Sequence, residues 1–454
     1  MRGGFGRRQR KTAGRGGWER AVVVGGGVAG LLAARAVSEV FERVMLIEQD
    51  ASDAGDFRKG TPQARHLHVM LARGSTALEE LFPGLSRELS ERGAQAYDHG
   101  EMRLKLPTGW APHGPVGIPL LSMSRSTLEA VLREHVTRLP AVEYVTRTRV
   151  TGLRTDDHGQ AVTGVAVSSG EGSGAEDSVL EADLVIDASG RNSRLPRWLA
   201  ERGLPQPRTH AIDIGLNYTS RFYAADPEGP QDWVASVQLS FAPHHPARGG
   251  GAFRVEGNRW LVSLVGAAGE VCPTDEAGYR RYAQGLDNPH MAEVVEACTP
   301  LTPLYRYHHI TSRRRDYHRM ERYPQRLMVI GDAVCSFNPV YGQGMTVAAL
   351  QAQELARLLG RYAGQPQPPD LARRFQQAVA RSVRLPWFMA AAADLGWRTE
   401  RLPVHLAAGG KGFGHLLRKL PHDPVLYQRF AHVWHMEHSP LALAHPRTLP
   451  HLFP

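Results

Sequence analysis

Residues 21–49 constrain this chain more than any other stretch of its 454 residues. Ala21-Val22-Val23-Val24 is a β-branched run of the kind found in buried parallel strands. Gly25-Gly26-Gly27-Val28-Ala29-Gly30 follows without a spacer, and Leu31 to Val37 is rich in helix formers. A second apolar run, Val44 to Ile47, ends in Glu48-Gln49. Each part has a mechanical job. Gly25 permits a tight turn, Gly27 lets the backbone approach a pyrophosphate, and Gly30 lets the helix lie close to the strand. The helix start at Val28 and Ala29 offers free N–H groups and positive dipole to phosphates. Glu48 can accept both hydroxyls of an adenosine ribose, and its charge repels a 2′-phosphate. With Gln49 beside it, the unit predicts a site for an ADP-bearing cofactor.

A second segment, about 300 residues on, decides which one. Arg326 to Ile330 reads as another buried strand, closed by Gly331-Asp332-Ala333. The loop Phe337 to Met345 leads into a helix over Thr346 to Ala356. Asp332 is placed to accept a hydrogen bond from a polyol hydroxyl. Gly342 and Gly344 let backbone approach a flat ring, and the helix start near Met345 aims its dipole at that ring. A reduced flavin is anionic at N1, so such a dipole stabilises it. The two segments together predict non-covalently held FAD.

Composition narrows the rest. The chain is 42% hydrophobic and 22% charged, which excludes wholesale disorder. Its length suggests two or three units. Cys272, Cys298 and Cys335 are too scattered for a disulfide scaffold or a zinc cluster, so no metal is expected and a reducing, cytoplasmic setting fits. The longest apolar run, Ala21 to Ala34, is broken by glycines and too short to span a membrane. Of the net charge of +9, most sits in the first twenty residues, where seven basic side chains face only Glu19. These residues read as a disordered basic arm. The nearly neutral remainder argues against a nucleic-acid partner.

The two glycine segments resemble the first and last signatures of the para-hydroxybenzoate-hydroxylase-like FAD monooxygenases. Arg58 to His68, Asp187 to Ser193 and Gly331 to Ala349 are also similar to stretches of actinobacterial flavin epoxidases of polyether and polyketide biosynthesis. The resemblance covers roughly residues 20–400. It implies an α/β fold: a Rossmann-type, glutathione-reductase-like FAD-binding domain with an inserted β-sheet substrate domain and a helical C-terminal region. The expected divisions are 1–20 for the arm, 21–204 for the first FAD-binding part with a substrate-side excursion near 98–121, 205–305 for the β-rich domain, 306–365 for the last FAD-binding part, and 366–454 for the helical region. Arg125, in Ser124-Arg125-Ser126-Thr127-Leu128, is implied to meet the FAD phosphate or ribityl chain, and Val150 to lie on the strand that reads the adenine. Pro62, Gln63 and Pro339 fall where the family's loops pass the flavin ring. His66 and His68 share one face of an extended segment, either as a substrate-side acid or as ordinary hydrogen-bonded histidines. Trp387 and Phe388 either line the substrate cavity or pack in the core.

The implied activity is FAD-dependent monooxygenation in secondary metabolism, an epoxidation or hydroxylation of a polyene or polyketide. The flavin carries the chemistry through an oxygen adduct, so no catalytic side chain is assigned. One departure bears on the electron donor. The family's Asp-Gly-x-x-Ser segment is replaced by Ser189-Gly190-Arg191-Asn192-Ser193, with Asp187 displaced by two residues. Reduction by NAD(P)H directly or through a separate flavin reductase therefore stays open. The alternative is a flavoprotein cyclase that uses FAD structurally for a non-redox [4+2] cyclisation.

Overall fold

The structure, a computed structural model, describes residues 18–51, 60–170, 176–239, 247–395, 412, 414–446, 448 and 450. Arg58, Lys59 and the first seventeen residues of the basic arm lie outside them. The arm, however, ends before residue 18. Trp18 is buried, edge-on to Phe41 at 5.2 Å, with its indole N–H donating to the Gln365 carbonyl at 2.5 Å. Arg20 already begins the first strand.

The strand Arg20–Val24 is the centre of a five-stranded parallel sheet. Arg43–Ile47 and then Val142–Val145 lie on one side, and Leu184–Asp187 and then Leu327–Val329 on the other. A strand covered on both faces must be apolar throughout, and Ala21 to Val24 are all buried. The helices Val28–Val37 and Gln343–Tyr362 pack together on this sheet, which brings the two glycine segments side by side.

A second, larger sheet stands over the strand ends. Its order runs Cys335–Ser336, Tyr305–Arg315, Thr209–Ala224, Arg259–Gly266, Arg248–Val255, Ala235–Gln238, Arg103–Leu106 and Gly109–Trp110. Alternation sorts its two faces. In Arg259–Gly266, Trp260, Val262 and Leu264 pack with the helices Glu276–Gln284 and His290–Ala297. Leu261, Ser263 and Val265 point the other way, Leu261 into an apolar cluster and Ser263 and Val265 onto the cavity described below. The expected boundary at 305/306 falls inside this sheet. The strand Tyr305–Arg315 pairs with Thr209–Ala224, and the sheet ends only at Arg315. On the cavity side, Leu371–Leu395 and Pro424–Trp434 complete the enclosure. No helix among the described residues is long and apolar enough to cross a membrane.

Candidate cofactor and substrate cavities

Two cavities meet at one wall. The larger, about 620 Å³, opens beyond the C-terminal ends of the parallel strands, where ligands of such sheets sit. The smaller, about 150 Å³ and mostly apolar, lies between it and the large sheet. Gln63, His68, Val69, Tyr307, Pro339 and Gly342 border both.

The glycines of the first segment differ in what demands them. Gly25 has φ +102°, and a Cβ there would stand 2.7 Å from the Ala188 carbonyl oxygen. A Cβ on Gly30 would fall 1.7 Å from the Gly25 carbonyl oxygen. Both are needed to fold. Gly26, which sequence reasoning passed over, leaves room for Glu48: its Cβ would come 3.0 Å from a Glu48 carboxylate oxygen. Its N–H donates to that oxygen at 2.9 Å, and the Asp50 N–H donates to the other at 3.0 Å. The carboxylate is thus fixed on the cavity wall. Gly27 alone has open space around its would-be Cβ and an ordinary φ of −77°. It caps the helix Val28–Val37, and no side chain satisfies the helix start. The protein itself therefore gives no reason for this glycine, whereas a pyrophosphate against the bare helix end does.

The second segment closes on the first. Gly331, at φ +62°, sits so close to Ala29 that a Cβ would be 2.7 Å from the alanine methyl. Asp332 next to it faces the cavity and accepts no hydrogen bond from the described residues. Burial pushes its carboxyl up, against the pull of Arg125, Arg191 and Arg315. A carboxylate left in this state suits a hydroxyl-bearing chain. Gly342, at φ +67°, caps Gln343–Tyr362 without a side-chain bond, so a second bare helix start, with Gly344 and Met345, faces the same space. Val28, Ala29, Gln49, Val150 and Pro62 are also on the wall, whereas Gly30 stays behind it in the turn. These features fit FAD: a place for the phosphates, an acid for a ribose, a carboxylate for a polyol and positive dipole for a ring.

Arg125 opens the helix Arg125–Thr137, capped by Ser124. Its Nε donates to the buried Glu129 at 2.8 Å and its Nη1 to His68 Nε2 at 3.4 Å. His68 Nδ1 bonds the His66 carbonyl at 2.9 Å, and since a carbonyl only accepts, the proton is on Nδ1. His68 is therefore a neutral acceptor that orients Arg125. Burial, then the Arg125 charge, pushes it down to about 3. His66, bonded to Ser220 at 2.8 Å, is pushed down to about 4 by burial and Arg65. Burial thus favours the neutral form of both, in keeping with the reading of this pair as hydrogen-bonded histidines.

Asp187 does not stand in for the missing acid at Ser189. Its carboxylate turns inward, accepting from the Ser189 N–H at 3.0 Å and from the Ser189 and Ser193 hydroxyls at 2.5 Å each. What faces the cavity is Ser189 and Arg191, the latter donating to Tyr307 Oη at 2.9 Å.

Trp387 and Phe388 line neither cavity. Trp387 is in the core under the Arg314 guanidinium, and Phe388 is 45% exposed. Consecutive residues on a helix turn by about 100°, and here that turn sets Trp387 toward the core and Phe388 toward solvent. Gln63, His66 and His68 apart, the polar groups of the smaller cavity were missed. Asp394 is 1% exposed and accepts from Asn338 Nδ2 at 2.7 Å and Tyr341 Oη at 3.1 Å. His435 Nδ1 takes the Ala72 N–H at 3.1 Å, which leaves its Nε2–H to donate to His99 Nδ1 at 2.9 Å. The one available signal was Asp394 itself, a charge at the end of the run Ala390-Ala391-Ala392-Ala393.

Comparison with known proteins agrees with this geometry. The family model described as an FAD binding domain matches residues 19–371. Protein Rv3254 of Mycobacterium tuberculosis is 32% identical over 428 residues, 91% of this chain and 88% of that protein. The 3-hydroxybenzoate 6-hydroxylase of Klebsiella oxytoca is 26% identical, covering 86% and 89%. Among solved structures, the probable FAD-dependent monooxygenase PqsL of Pseudomonas aeruginosa superposes with a TM-score of 0.64 at 17% identity, over 87% of this chain and 99% of that one. The p-nitrophenol 4-monooxygenase PnpA of Pseudomonas putida gives 0.63 at 18%, over 91% and 97%. These two attest the fold. With the strand–glycine–helix unit, the Gly331-Asp332 turn and the two-sheet architecture in place, the chain belongs to the FAD-binding-domain family of aromatic-hydroxylase-like flavin monooxygenases.

Proposed function

We propose that this enzyme inserts one oxygen atom of O₂ into a compact, apolar, unsaturated substrate, by hydroxylation or epoxidation, with FAD across the larger cavity and substrate in the smaller. The observation that carries the reading is the shared wall: the Pro339–Gly342 turn, where the flavin ring is expected, also borders the apolar cavity. Bound FAD supplies the redox chemistry and the activation of oxygen. The chain supplies the rest. The start of Val28–Val37 and Gly27 receive the pyrophosphate, Glu48 the ribose, Asp332 the polyol, and the start of Gln343–Tyr362 favours negative charge on the ring. The apolar wall of Leu67, Val69, Leu216, Val237, Phe253 and Val265 excludes water and holds the substrate close. Its modest volume favours a flat ring system over the extended polyene expected from the resemblance. The inward turn of Asp187 supports electron delivery that does not depend on an acid at Ser189, such as a separate flavin reductase.

Turnover separates this reading from a non-redox cyclase. Under ¹⁸O₂ with a reductase or a chemical reductant, the product is expected to carry one labelled oxygen. Full turnover under argon with oxidised flavin, and a product isomeric with its substrate, would overturn it.

A further inference from the structure

The smaller cavity has an electrostatic inventory that selects its ligand. Four histidines, His66, His68, His99 and His435, line it, and burial keeps all four neutral. Among the described residues Arg248 is its one lining arginine or lysine, and that guanidinium pairs with Glu270 at 2.8 Å. The remaining charged group is Asp394. The groups facing it come from three elements: Asn338 and Tyr341 from the turn, Ser312 at 3.4 Å from Tyr305–Arg315, and Tyr218 from Thr209–Ala224, whose phenol feels its charge. None is cationic. Burial pushes the Asp394 carboxyl up to about 6, so it is largely ionised at neutral pH. The Tyr218 hydroxyl, on the same cavity, is buried and has no hydrogen-bond partner among the described residues.

An acid with spare acceptor capacity and an unused phenolic donor on the wall of one cavity are half of a hydrogen-bond relay. A hydroxyl completes it, donating to the carboxylate while accepting from Tyr218. We infer that this cavity recognises a neutral ring system through one hydroxyl group bound between Asp394 and Tyr218, and that it rejects carboxylated analogues. Among the described lining residues no uncompensated cation stands ready to pair a substrate carboxylate, and Asp394 repels one. The inference rests on the assignment of the smaller cavity to substrate. It makes this site differ from one built for a benzoate.

Binding tests it without requiring turnover. The FAD-loaded enzyme is titrated at pH 7.5 with 2-naphthol, 2-methoxynaphthalene and 2-naphthoate, following the flavin spectrum. Naphthol is expected to bind roughly tenfold or more tightly than either analogue, because a site built around a hydroxyl is left unpaired without it. Asp394→Asn should narrow the gap to naphthoate severalfold, and Tyr218→Phe should weaken naphthol while leaving the ether unchanged. Naphthoate binding as well as naphthol in the unmodified enzyme would overturn the inference, as would no measurable binding of naphthol. Turnover without oxygen would sink the monooxygenase reading yet leave this preference standing.

Discussion

Replacing Gly27 with alanine separates what the fold needs from what the cofactor needs. The residue has φ −77° and ψ −176°, an extended conformation open to any amino acid, and a methyl group there meets nothing within 4 Å. As the helix N-cap, alanine is less favourable than glycine by about 0.5–1 kcal/mol. Restricting the unfolded chain returns roughly 0.4–1 kcal/mol. The two offset, so apoprotein stability should change by no more than about 0.5 kcal/mol. FAD should respond differently, because the methyl occupies the space through which phosphate oxygens reach the helix-start N–H groups. Each charge-assisted bond lost is worth about 1.5–3 kcal/mol, or roughly ten- to hundred-fold in affinity. Urea unfolding of the apoprotein and a fluorescence titration with FAD measure the two quantities on one sample. Gly30→Ala is the contrast: its methyl would stand 1.7 Å from the Gly25 carbonyl oxygen, so apoprotein and holoprotein should both fail to fold. Wild-type FAD affinity in Gly27→Ala would refute the placement of the pyrophosphate at this turn.

Two other outcomes follow from the structure. His66, His68 and His99 are held neutral by burial, at about 4, 3 and 4, below the ordinary 6.5. The unfolded chain then binds more protons than the native one between about pH 4 and 6.5, so stability rises with pH across that window and is lost on acidification, by up to about 1.4 kcal/mol per pH unit for each group. His99→Gln should flatten the slope by about that amount in urea titrations, and an unchanged slope would contradict the burial argument. At the N-terminus, removing residues 1–17 should leave flavin content and melting temperature unchanged. Extending the deletion through Trp18 removes a buried indole and should lower stability by about 3–5 kcal/mol.

The parts of the site that could be read in the sequence are those whose constraint is local. A strand, a glycine turn and a helix are contiguous, and backbone sterics decide them, so Gly25, Gly27, Gly30 and Glu48 stand out. Gly331-Asp332 was legible for the same reason, though its contact with Ala29 spans some 300 residues. Asp394 was not, because its meaning comes from Asn338, Tyr341 and Tyr218, on elements distant in sequence. The same holds for His99 and His435, which meet across 336 residues. For Trp387 and Phe388 the sequence left two readings, cavity wall or core, and helical rotation decided between them: Trp387 packs in the core and Phe388 faces solvent.

The decisive measurement is a crystal structure of the protein with its cofactor bound. It should show non-covalent FAD with its adenosine ribose on Glu48, its phosphates at Gly27 and its ring against the Pro339–Gly342 turn, one face open to the cavity that holds Tyr218 and Asp394. A flavin ring elsewhere, or FMN in place of FAD, would contradict it.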